Sequence, residues 1–175
     1  MRDHGLNGER SAGALASPTA MMRLSSLLFL FLTLGHMSAY PWRSAGSPRE
    51  VGMIEAMKSI DFIFMGERST YWGLYFGWGL LVAILLLTIA ALLWLLADLA
   101  RLAPRRVGMM AGILAATCAI GTYLSFRFFY VPPLLSFAAN GLILLIVAVR
   151  LLNAPPERTG LRFHDARKKE RPCAK

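Results

Sequence analysis

Between Arg68 and Asp98 the chain carries no charged residue, and this constrains its fold more than any other feature. The stretch enters through Glu67-Arg68-Ser69-Thr70-Tyr71-Trp72-Gly73-Leu74-Tyr75-Phe76-Gly77-Trp78-Gly79. It then becomes an apolar run from Leu80 to Leu96, broken in character only by Thr88 and Trp94. At about 1.5 Å per residue, such a run crosses a hydrocarbon core of about 30 Å with length to spare. A core helix of a water-soluble domain has no use for that length, so the stretch reads as a transmembrane helix with a polar, aromatic, glycine-bearing entrance.

Three further blocks repeat the pattern. Leu24 to Trp42 and Val107 to Phe126 are uncharged, and Leu134 to Leu152 is interrupted only by Ser136, Asn140 and Arg150. The chain is 56% hydrophobic, and those residues are clumped into blocks rather than spread at helix or strand period. Clumping is what selects a bilayer over an aqueous core. The expected architecture is all-α: a four-helix transmembrane bundle with spans at about 22–40, 71–97, 107–127 and 132–152. An amphipathic surface helix is expected between helices 1 and 2. Ser47-Pro48-Arg49-Glu50 is a capping-box signature, and Met53, Met57, Ile60 and Phe64 follow at helical spacing. Residues 1–20 read as a disordered leader and 153–175 as a basic tail.

The first block needs care. Met21-Met22-Arg23 ahead of Leu24 to Leu32 is also the pattern of a secretory signal, and Met21 or Met22 would serve as a second start. Met37-Ser38-Ala39 puts a large Met where the cleavage site wants a small residue, so a retained helix is the expectation.

A net charge of +9 is also found in nucleic-acid binders, but here the basic residues gather at the ends of the apolar blocks and in the tail. That placement fits the positive-inside rule instead. With four spans, one side of the membrane holds 14 basic residues and the other 5. Both termini are therefore expected to be cytoplasmic.

Small residues recur at four-residue spacing in Gly73 and Gly77, and again in Gly108 and Gly112, which lets helix backbones approach closely in lipid. Asn140, the one amide inside a span, is expected to hydrogen-bond a neighbouring helix. On the expected topology the outer part of the first helix and the entrance of the second share a side. His36, Glu67, Arg68, Tyr71 and Tyr75 are thus the candidate outer-side pocket, suited to a polar headgroup or to proton transfer. The same residues have a plainer reading, since Tyr and Trp collect at interfaces whatever the function and a histidine near a helix end is commonly just hydrogen-bonded. No catalytic residue can be named. No cofactor or metal is expected: His4 and His164 lie outside the spans, and Cys118 and Cys173 give no ligand pair.

Leu34-Gly35-His36 in the first helix, Gly66-Glu67-Arg68-Ser69-Thr70-Tyr71-Trp72 leading into the second and Tyr75-Phe76-Gly77-Trp78-Gly79 within it resemble a family of small uncharacterised bacterial integral membrane proteins. The resemblance covers roughly 22–152 and is most specific in the Arg-Ser-x-Tyr-Trp stretch. It implies a four-helix protein of the bacterial inner membrane and supplies no catalytic residues. The leading expectation for function is a non-enzymatic membrane protein binding lipid or a partner through its outer mouth. One alternative is a small membrane enzyme or redox-linked accessory built around His36. Another is a structural subunit of a membrane complex, with a homo-oligomer or another membrane protein as partner.

Overall fold

The computed structural model describes residues 17–39 and 43–154. Most of the expected leader (1–16) and basic tail (155–175) lies outside the described residues, while residues 18–20, expected in the disordered leader, are helical. The elements run α1 (Pro18–Ala39), α2 (Pro48–Ser59), β1 (Asp61–Phe64), β2 (Glu67–Thr70), α3 (Tyr71–Leu99), α4 (Pro104–Phe128) and α5 (Val131–Leu152). Among the described residues, α1, α3, α4 and α5 are long and apolar enough to cross a membrane. Only 28% of each helix's most apolar window is buried inside the protein. Lipid is the one solvent in which the remaining apolar surface is stable, so the chain is a multi-pass integral membrane protein of essentially all-α architecture.

Helix starts follow local chemistry. Ser17 Oγ accepts from Ala20 N and Pro18 opens α1, placing its start a turn earlier than the apolar pattern suggests. Prolines likewise open α2 and α4 and stand in the first turn of α5. Thr70 caps α3, its Oγ1 accepting from Gly73 N at 3.0 Å.

The four spans do not close into a ring. α1 packs against α3 on one side and α5 on the other, α5 packs against α4, and α3 and α4 barely touch although they are consecutive in the chain. The spatial order is α3–α1–α5–α4, with α1 and α5 in the middle. The buried core follows the same line, through Met22 and Phe29 of α1, Leu86, Leu93 and Ala97 of α3, Val107 and Ala111 of α4, and Leu144 and Val147 of α5.

Two contact types hold the row together. On α1, Ser25 Oγ donates to Asn140 Oδ1 of α5 at 2.5 Å, and Asn140 Nδ2 donates to Ser136 O at 2.9 Å. Phe29 and Phe137 meet edge to face, with centroids 6.3 Å apart. Towards α3, Ser26 Oγ donates to the Ala90 carbonyl at 2.6 Å, and Arg23 pairs with Asp98 at 2.8 Å while its guanidinium lies over the Trp94 ring. Between α4 and α5 the contact is steric instead. A methyl placed on Gly108 would stand 3.1 Å from Leu151 Cβ, and one on Gly141 would stand 3.2 Å from Cys118 Cβ.

The segment between α1 and α3 differs from the sequence expectation. Helix α2 ends at Ser59, with Ile60 as its cap, so Ile60 and Phe64 are not members of an amphipathic helical stripe. Phe64 belongs to β1, which pairs antiparallel with β2 in the register Asp61↔Thr70, Phe62↔Ser69, Ile63↔Arg68 and Phe64↔Glu67. The two-residue loop is Met65-Gly66 with φ of 52° and 90°, the positive angles that a tight hairpin demands. β-capable Phe62, Ile63 and Phe64 beside a glycine that accepts positive φ explain why the helix does not continue.

Candidate functional site

Helix α2 and the hairpin cap one end of the row, over the entrance of α3. The cap is built from its first residue upward. Ser47 Oγ accepts from Glu50 N at 3.3 Å, and Glu50 reaches back to Gly46 N at 2.6 Å and to Arg43 Nη2 at 2.7 Å. These donors, the Gly46 amide first and the Arg43 guanidinium second, hold the Glu50 carboxyl below the ordinary glutamate value. At the other end of α2, the Lys58 ammonium lies 5.1 Å from the centre of the Trp72 ring, a cation–π contact that clasps α2 to the first turn of α3. Phe62 of β1 meets Tyr71 at 4.8 Å, and Trp72 meets Tyr75 at 5.8 Å and Phe76 at 6.3 Å. The entrance is therefore an aromatic cluster clasped by one lysine.

The structure places the five candidate pocket residues at three levels. His36 meets α3 two turns inside its start, its Nε2 donating to the Gly79 carbonyl at 3.0 Å. That donation requires the proton on Nε2. Tyr75 stands one turn nearer the entrance than Gly79 and Tyr71 two turns nearer, in contact with Trp72 and Phe62 respectively. Arg68 points along the hairpin to Asp61, 3.6 Å away, with both side chains well exposed. Glu67 sits beside the turn, opposite Phe64. His36 is thus held at the level of Gly79, while Glu67 and Arg68 belong to the hairpin.

The residues singled out for helix packing also divide. Gly108 and Gly112 face α5, where added methyls would meet Leu151, Leu152 and Ala148. Asn140 is fully buried between α1 and its own helix. Gly73 faces only Thr70 and Ser69 of its own cap, and nothing stands near Gly77. Spacing alone does not distinguish the two glycine pairs; the difference lies in which helix stands opposite.

Several features escaped the sequence reading. Helical spacing places Phe64, the last residue of β1, in a stripe with Met53, Met57 and Ile60, although Met65-Gly66 after the β-prone Phe62-Ile63-Phe64 carries a weak hairpin signal. Ser25 and Ser26 were read as part of an apolar block, yet both are buried and bonded to neighbouring helices. An apolar groove of about 500 Å³ lies between α4 and α5, bordered by Ala116, Ala119, Ala138 and Leu145, away from the capped end. Among the described residues no three of His, Cys, Asp and Glu stand together as metal ligands.

Chemically, the capped end offers a hydrogen-bonded imidazole, two phenols, an indole carrying a cation and an exposed ion pair. No protein-family model matches the chain, and no curated protein or solved structure is significantly similar to it.

Proposed function

We propose that this is a non-enzymatic protein of the bacterial inner membrane, with both termini cytoplasmic, that binds lipid or a protein partner through its outer mouth. The orientation rests on the 14-to-5 division of basic residues across the membrane. The bacterial setting rests on the resemblance carried by Leu34-Gly35-His36 and by Arg68 to Trp72.

One observation carries the binding reading. The polar side chains at the mouth are engaged in holding elements together: His36 to the Gly79 carbonyl, Arg68 to Asp61, Lys58 to the Trp72 ring, and Arg43 to Glu50. Side chains clamped this way make a preorganised rim around exposed aromatics, which suits recognition better than proton transfer.

Native mass spectrometry of the full chain, gently extracted from its membrane, tests the reading. A retained lipid or protein partner is expected, and each of His36→Ala, Arg68→Ala and Tyr71→Ala should reduce its occupancy several-fold. If all three variants keep wild-type occupancy, the mouth is not the binding site.

A second reading has its own support. The α4–α5 groove, walled by Ala116 and Ala119, would let a membrane helix of a partner approach closely, as in a subunit of a larger complex. Purification in mild detergent as a clean monomer would count against it.

A further inference from the structure

The β1–β2 hairpin presents an apolar tip that no other part of the described chain covers. Ile63, Phe64 and Met65 are 77%, 63% and 90% exposed. They are consecutive, and with Phe62 and Gly66 they form a five-residue stretch with no polar side chain. In water, a run of this kind at a loop tip is an aggregation liability that surface loops ordinarily avoid.

The backbone makes the choice of Met65 more pointed. Met65 has φ of 52° in the first central position of the turn, where asparagine, aspartate or glycine relieves the strain. A polar residue would serve the turn better, so the large thioether side chain there is explained by what it contacts rather than by the turn itself.

The surroundings identify the occupant. β2 runs directly into α3, with Thr70 as its last residue and as the helix cap, so the hairpin is anchored where that span enters the bilayer. Its base is continuous with the lipid-facing surface through Phe62 on Tyr71 and on to the exposed Tyr75 and Trp78. At about 3.3 Å per residue each four-residue strand is about 13 Å long, short enough for the tip to stay within the interfacial layer. We infer that the hairpin is a membrane-dipping arm, with Ile63, Phe64 and Met65 immersed in the headgroup layer of the bilayer that α3 crosses.

The charges set how deep it goes. Glu67 stands opposite Phe64, and the exposed Arg68–Asp61 pair lies further back along the hairpin. A carboxylate one residue from the turn keeps the arm at headgroup level and out of the hydrocarbon core. The arm would fix the tilt and rotation of α3, as interfacial anchors do. The inference requires only that the spans cross the bilayer and is independent of whether the mouth holds a ligand.

The test uses the full chain with Cys118→Ala and Cys173→Ser, carrying one nitroxide label at Met65→Cys, Ile63→Cys or, as the aqueous reference on α2, Glu55→Cys. Each protein is reconstituted into phosphatidylethanolamine–phosphatidylglycerol vesicles with a nickel chelate on both sides. The ratio of oxygen to nickel collision rates at 63 and 65 should be at least threefold higher than at 55. Two labelled tip positions guard against one substitution disturbing the turn. Equal ratios at all three sites would overturn the inference. So would dipolar broadening between tip labels that vanishes on dilution with unlabelled protein, because the tip would then be covered by a second copy.

Discussion

The seam between α4 and α5 and the seam between α1 and α3 solve the same problem by opposite means. In lipid there is no hydrophobic gain in bringing two apolar helices together, so association depends on packing and hydrogen bonds. α4 and α5 use packing: at Gly108, Gly121 and Gly141 the facing helix stands so close that a methyl would touch it. α1 and α3 use polar clasps: Ser26 to the Ala90 carbonyl, His36 to the Gly79 carbonyl and Arg23 to Asp98. A helical carbonyl already accepting its intrahelical bond has a second lone pair, which is what the serine and the histidine use. The first seam should therefore be sensitive to volume and the second to hydrogen-bond chemistry.

The largest effect is expected where volume decides. A methyl on Gly121 would lie 2.9 Å from the Phe137 ring, and Phe137 also supports Phe29 of α1. Gly121→Leu should destabilise the protein by about 1–3 kcal/mol, the usual cost of overpacking. Gly77→Leu, with open space around it, should leave stability unchanged. Thermal unfolding in a mild detergent compares the two, and equal losses would mean that the close approach at α4–α5 has no special weight.

A smaller effect is expected at the bond joining the two seams. Replacing Asn140 by Leu leaves Ser25 Oγ without its acceptor on α5. Interhelical hydrogen bonds in membranes average about 0.6 kcal/mol and reach about 1.7 kcal/mol. A double-mutant cycle of Ser25→Ala and Asn140→Leu should give a coupling energy in that range; strict additivity would show that the two side chains do not interact.

The smallest effect lies outside the bilayer, where water competes for the same donors. Glu50 is held below its ordinary value of 4.5 by the Gly46 amide and then by Arg43. A lowered folded value means that its contribution is complete above about pH 4.5 and is lost as pH falls through the lower, folded value. Amide exchange at Gly46 and in the first turn of α2, corrected for intrinsic rates, should quicken on acidification below pH 4.5. Glu50→Gln should remove that dependence.

The spans were legible because charge is absent over such lengths: nothing charged lies between Arg68 and Asp98. The order α3–α1–α5–α4 was not legible, because a helix apolar on all sides has no periodic stripe to show which face meets a neighbour. Gly73/Gly77 and Gly108/Gly112 look alike in the sequence, yet only the second pair has a helix opposite. Asn140 was legible as a polar group within a span, but its partner Ser25, 115 residues away, was not. The hairpin was misread because Phe64 happens to fall at helical spacing from Met53, Met57 and Ile60. Pairing of β1 with β2 brings Arg68 to Asp61, and His36 bonds the Gly79 carbonyl, a backbone group that sequence spacing does not reveal.

α1 links the two seams, touching α3 through Ser26 and His36 and α5 through Ser25 and Phe29. Since α3 and α5 have no comparable contact with each other, the row exists only if α1 stays in the membrane. The most direct measurement is the intact mass and N-terminal sequence of the protein purified from the membrane of the organism that makes it. The mature chain should still carry Met22 to Ala39. A dominant species beginning just after Ala39 would show that α1 is removed as a signal and would contradict the arrangement described above.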